Sequence, residues 1–106
     1  MPKYLVLWRV KTEEIPDDPN EMERIMGMLM SNVAKDFKEG TTLDWGLFLD
    51  GQYGYGIRQM DALDLQKFFM IVSPYLEVLS IQEAINFEDA QKNVHAVVES
   101  MKAMQK

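Results

Sequence analysis

Segments of strand and helix character follow one another along this chain in the order strand, helix, strand, strand, helix, strand, helix. That order leaves few folds open. In a βαββαβ arrangement each crossover brings the chain back over the same side of a sheet, so four strands form one antiparallel sheet with both helices on a single face. The other face is left bare. At 106 residues the chain is one domain with its own core: residues 1–85 carry the βαββαβ unit and 86–106 an added C-terminal helix.

The local signals are specific. Tyr4 to Lys11 (YLVLWRVK) is rich in β-branched, aromatic and leucine residues, which suits a strand. Both of its alternating faces are apolar, which predicts a central position in the sheet. Asp18-Pro19-Asn20-Glu21 reads as a helix start, with Asp18 as N-cap, Pro19 in the first helical position and Glu21 at capping-box spacing. Met22, Ile25, Met26, Leu29, Val33 and Phe37 then form one apolar stripe, and Gly40 ends the helix. Thr41 to Asp50 and Gln52 to Gln59 read as strands joined at Asp50-Gly51, a strong hairpin signal. Asp61 is expected to cap a second helix, which ends near Ser73-Pro74, and Leu76 to Ile85 is the fourth strand. The last helix, from about Phe87 to Met104, carries Phe87, Ala90, Val94, Val97, Met101 and Met104 at alternating steps of three and four. That is a narrow, heptad-like seam, suited to packing along another helix of the same or a second chain.

Side chains alternate across a strand, so the hairpin sorts into two faces. Trp45, Leu47, Leu49, Gly54, Gly56 and Arg58 share one, assigned to the helix side, where the two glycines admit close approach. Asp44, Gly46, Phe48, Asp50, Tyr53, Tyr55, Ile57 and Gln59 share the other, assigned to the bare side. The same reasoning adds Tyr4, Val6, Trp8 and Val10 from the first strand and Leu76, Val78, Ser80 and Gln82 from the fourth to the bare side, with Leu5, Leu7, Leu79 and Ile81 toward the helices. An aromatic face of this size exceeds what a monomer exposes to water, so a second copy is expected to cover it. If a cavity remains between two such faces, Tyr4, Trp8, Asp44, Phe48, Tyr53, Tyr55 and Gln82 are its candidate lining, apolar with polar tips that would orient a ligand.

Charge and composition narrow the function classes. Seventeen acidic against eleven basic residues give a net charge of −6, which disfavours binding to nucleic acid or to anionic membranes. The chain has no cysteine, which removes thiolate metal sites and fits a reducing compartment. No apolar run approaches the length of a spanning helix, and the N-terminal run is too short for a signal peptide, so a cytoplasmic location is expected. The nine methionines read first as core filler.

No catalytic motif stands out. His95 is the single histidine, so no histidine cluster for zinc exists, and no nucleophile is placed beside it. Glu13, Glu14, Asp17, Asp18, Glu21 and Glu23 form an acidic cluster whose spacing matches no calcium loop; carboxylates before a helix are favoured by its dipole alone. Gly51, Gly54 and Gly56 lie in a hairpin with no helix following, so they do not make a phosphate loop. No metal and no cofactor is implied. Arg9 and Glu77 are placed to pair across neighbouring strands.

The layout resembles the dimeric α+β barrel superfamily of ferredoxin-like folds. The residues that carry the resemblance are the first strand YLVLWRV, the Asp44-Trp45-Gly46 run and the glycine-rich YGYGI of Tyr53 to Ile57. The resemblance covers Tyr4 to about Ile85, and the layout is closest to small prokaryotic members of unknown function. It implies an α+β, ferredoxin-like βαββαβ sandwich that forms a homodimer, bare face to bare face. It transfers no catalytic residue. The expected function is binding of a small apolar or aromatic molecule between the two sheets. The alternatives are a structural or protein-interaction module without a ligand and a cofactor-free monooxygenase or isomerase-like enzyme.

Overall fold

The computed structural model of the chain describes residues 1–105. Its elements are β1 (Lys3–Val10), a 3₁₀ turn (Thr12–Glu14), α1 (Pro19–Glu39), β2 (Thr42–Leu47), β3 (Tyr53–Gln59), α2 (Ala62–Val72), β4 (Leu76–Ala84) and α3 (Phe87–Met104). The four strands form one antiparallel sheet in the order β2-β3-β1-β4, with β1 central as its composition requires. This is an α+β ferredoxin-like fold. No described helix is long and apolar enough to cross a membrane.

The helix ends follow the sequence closely. Asp18 takes an extended N-cap conformation and its carboxylate accepts from the Asn20 N–H at 3.1 Å, with Pro19 in the first turn. The carboxylate of Glu21 turns instead to Arg24, 3.0 Å away. Gly40 adopts φ 79°, its N–H donating to the Phe37 carbonyl and that of Thr41 to the Asp36 carbonyl. That pair of bonds closes a Schellman motif, and the left-handed conformation suits glycine. Asp61 has cap backbone geometry, but its side chain makes no capping bond. Asn86 caps α3, accepting from Asp89 N–H at 2.8 Å.

The hairpin is in the register centred on Asp50-Gly51, but its loop is longer than a two-residue turn, so Leu49, expected on the helix side, is fully exposed in the loop, and Asp50, expected on the bare side, lies in it too. Phe48 N–H donates to the Tyr53 carbonyl, and the Asp50 carboxylate accepts from the N–H groups of Gln52 and Tyr53. Those two backbone bonds hold the Asp50 carboxyl below its ordinary value. Gly51, at φ 73°, supplies the one left-handed residue.

The core lies between the sheet and helices α1 and α2. Val6, Trp8 and Val10 are its centre, joined by Tyr4, Ile15, Trp45, Phe69, Leu76 and Val78. The indoles of Trp8 and Trp45 stack with centroids 5.6 Å apart. This corrects the face expected for β1: Tyr4, Val6, Trp8 and Val10 point at the helices, and Leu5 and Leu7 at the bare side. The pairing fixes it, since Trp8 lies opposite Gly54 and Val6 opposite Gly56, and cross-strand partners share a face. On β4 the alternation breaks. Leu79 has no partner, because Leu7 pairs with Ser80 and Trp8 with Val78. This one-residue bulge reverses the parity of the strand. Leu76 and Val78 therefore join the core, contrary to expectation, while Ser80 and Gln82 stay on the bare side and Ile81 on the helix side. The methionines are not core filler either: of the nine, only Met60 is buried.

Helix α3 stands away from the rest. Among the described residues it packs on no other element, and the chain extends 70 Å along its longest axis against 26 and 24 Å across. Its radius of gyration is 18.7 Å, where a compact chain of this length would have about 13 Å.

Candidate functional site

Register turns the open face into three rows running from β2 to β4. Asp44, Ile57, Leu5 and Gln82 form the first. Gly46, Tyr55, Leu7 and Ser80 form the second. Phe48, Tyr53, Arg9 and Glu77 form the third, at the hairpin end. The middle of the face is thus leucine, isoleucine and tyrosine, and the polar groups sit toward its two margins. Leu5, Leu7, Phe48 and Tyr53 are each more than a third exposed, which a single chain in water disfavours for so continuous a surface.

On the β2 margin, Tyr55 organises the site. Its ring lies across Gly46, in the space a Cβ there would fill. Its hydroxyl donates to Asp44 Oδ2 at 2.8 Å, while Asp44 Oδ1 accepts from the Trp45 N–H at 2.9 Å. The bond to the Asp44 carboxylate pushes the Tyr55 phenol above its ordinary value. Phe48 leans on the same ring, centroids 6.1 Å apart. On the β4 margin, Gln82 Nε2 and Ser80 Oγ are 3.5 Å apart, too long for a strong hydrogen bond.

Of the seven residues expected to line a cavity, Asp44, Phe48, Tyr53, Tyr55 and Gln82 are together on this face. Tyr4 and Trp8 are on its reverse, in the core. Leu5 and Leu7, expected toward the helices, are at the centre of the face. The apolar character of both β1 faces hid them. The needed signal lay across the hairpin: Gly54 and Gly56 leave room on the helix side for large side chains from the neighbouring strand.

The third row ends in an ion cluster. Arg9 donates to Glu77 Oε2 at 2.7 Å, as its pairing across β1 and β4 foretold, and also to both carboxylate oxygens of Glu13, at 2.9 and 3.1 Å. Glu13 stays solvent-exposed, but it is tied to Arg9 rather than standing free before the helix. The Arg9 bonds hold the Glu13 carboxyl down to about 2. Among the described residues, no three acidic, histidine or cysteine side chains gather as a metal site. His95 is exposed on α3, which carries none of the open-face residues.

On the reverse of the sheet, a void of about 80 Å³ separates it from the helices. Its walls include Val6, Trp45, Met30, Phe68, Gly56 and Arg58. Arg58 is buried, its guanidinium 3.8 Å above the Phe68 ring and 3.0 Å from the carboxylate of Asp36. Arg58 Nε and Thr42 Oγ1 are buried without a hydrogen-bond partner among the described residues. Both sit on the same cross-strand pair.

No protein-family model, curated protein or solved structure matches the chain.

Proposed function

We propose that the protein works as a homodimer, two open sheet faces packed together, enclosing a small apolar or aromatic molecule. The arrangement is that of the dimeric α+β barrel superfamily, which the strand order and the one-sided placement of α1 and α2 resemble. The observation that supports it is the layout of the face: Leu5, Leu7 and Ile57 make an apolar floor, with Asp44 and Tyr55 at one margin and Ser80 and Gln82 at the other. Sealed under a second sheet, side-chain polar groups without partners are costly. A ligand with an apolar body and a polar end meets that need, as does trapped water.

A second reading, an interaction module with no ligand, is favoured by the pose of Tyr55. Lying flat on Gly46 rather than standing off the sheet, its ring smooths the face and leaves less room between two copies.

Native mass spectrometry separates these readings. The expected result is a dimer carrying extra mass that leaves on denaturation, and a monomer when Leu7 is changed to Asp. A dimer without extra mass favours the interaction module. A monomeric wild-type chain overturns both.

A further inference from the structure

Helix α3 has an apolar seam and, among the described residues, nothing of its own chain against it. Its 18 residues carry Phe87, Val94 and Met101 at one heptad position and Ala90, Val97 and Met104 at the other. All but Ala90 are exposed. Most helical stability in proteins comes from packing an amphipathic face rather than from propensity, and a seam this narrow fits one helix rather than a sheet.

We infer that α3 pairs antiparallel with α3 of a second copy. Three features of the helix select that partner and that direction. The positions flanking the seam are Gln91, Val98 and Gln105 on one side and Asn93 and Ser100 on the other. None is charged, so a chain of net charge −6 meets its own copy there without like-charge repulsion. The seam also reads evenly in reverse. Antiparallel, Phe87 faces the second copy's Met104, Ala90 its Met101 and Val94 its Val97, so that the small alanine is opposed by a long side chain. In parallel, alanine would face alanine directly beside a phenylalanine pair, and the layers would alternate between crowded and empty. The helix dipoles agree: in the antiparallel pair the positive N-terminal end of one helix lies beside the negative C-terminal end of the other. A symmetric pair covers both copies of the seam at once, as a two-fold contact requires.

Two helices of this length bury less than the roughly 1,200–2,000 Å² of a stable interface. The pairing is therefore the second contact of two chains already held together, gaining from their effective concentration, and to that extent it rests on the sheet-face dimer proposed above.

The chain has no cysteine, so a thiol introduced by substitution reports alone. Ala90→Cys and Met101→Cys chains are prepared separately in the otherwise unchanged protein, then mixed, allowed to exchange subunits and treated with a short bismaleimide. The expected result is cross-linked dimer from the mixture and none from either chain alone. Cross-linking of either chain with itself would mean a parallel pair and overturn the inference. A dimer in solution that cross-links in no combination would overturn the α3 pairing and leave the sheet-face reading intact. Adding Leu7→Asp to both chains separates the failures: the expected result is loss of the cross-linked product, whereas undiminished cross-linking would refute the sheet-face contact and keep the helix pair.

Discussion

The indole of Trp8 occupies the space that a Cβ on Gly54, its cross-strand partner, would need. A methyl there would also press on the Gly46 carbonyl of the neighbouring strand, and backbone cannot swing aside as a flexible side chain can. Gly54→Ala is therefore expected to destabilise the fold by about 1–3 kcal/mol, the cost of overpacking a filled core. Gly56 is two residues along the same strand and face, yet a Cβ there meets nothing within 4 Å, because it opens on the void beneath the helices. Gly56→Ala is expected to be neutral or to stabilise by about 0.4–1 kcal/mol, through the lower entropy of the unfolded chain. Urea unfolding of the two variants checks the pair, and equal effects would contradict the packing of Trp8.

The same two strands show how far the residues alone disclose the fold. The hairpin sorted correctly because its faces differ in kind, glycines and tryptophan on one, tyrosines and aspartate on the other. Helix ends were legible wherever a residue has one use, as Pro19 and Gly40 do. In β1 both faces are apolar, so alternation carried no information about which is buried, and tyrosine and tryptophan pointed toward an interface that Tyr4 and Trp8 do not face. In β4 the bulge at Leu79 divides the strand, and no single alternation could place both Val78 and Gln82. The position of α3 was open between its own domain and a second chain, since the seam specifies only another helix as its neighbour.

Tyr55 gives a test of the open face that does not depend on oligomeric state. Its hydroxyl donates to the Asp44 carboxylate, and ionisation would set two negative charges against each other, so its pKa is raised. The sign follows: the bond's contribution to stability is fully present below the ordinary tyrosine range and is lost as pH rises through the raised value. Ultraviolet titration of phenolate is expected to show a high-pH component that Tyr55→Phe removes and that Asp44→Asn shifts down toward the ordinary tyrosine range. A Tyr55→Phe titration of unchanged shape would place the hydroxyl away from Asp44.

At the other end of the pH range, Arg9 and Glu13 act together. Hydrogen bonds from Arg9 hold the Glu13 carboxyl at about 2, against an ordinary 4.5. A lowered carboxyl contributes stability that is present above its unfolded value and disappears as pH falls through the folded one. Glu13→Gln is thus expected to lower the melting temperature at pH 7, with the gap to wild type closing between about pH 4.5 and 2. Salt should narrow the gap at neutral pH as well, since the cluster lies at the surface. A gap independent of pH would point to lost packing rather than lost charge.

The pair of Arg58 and Asp36 sets a different balance, because it is largely out of water. The side chains are 8% and 15% exposed, and the guanidinium also rests on Phe68. Removing one partner leaves a buried charge uncompensated, so Asp36→Ala is expected to cost about 3–5 kcal/mol. Replacing both tells more. Arg58→Met with Asp36→Leu takes two charges out of a site whose remaining walls are almost all apolar, and it also removes the unpartnered Arg58 Nε. The double variant is expected to be at least as stable as wild type, with a gain of up to about 4 kcal/mol. Denaturant unfolding of the two single variants and the double variant closes the cycle. A double variant as unstable as Asp36→Ala would mean that Arg58 holds α1 and α2 to the sheet through its packing on Phe68, with its charge incidental.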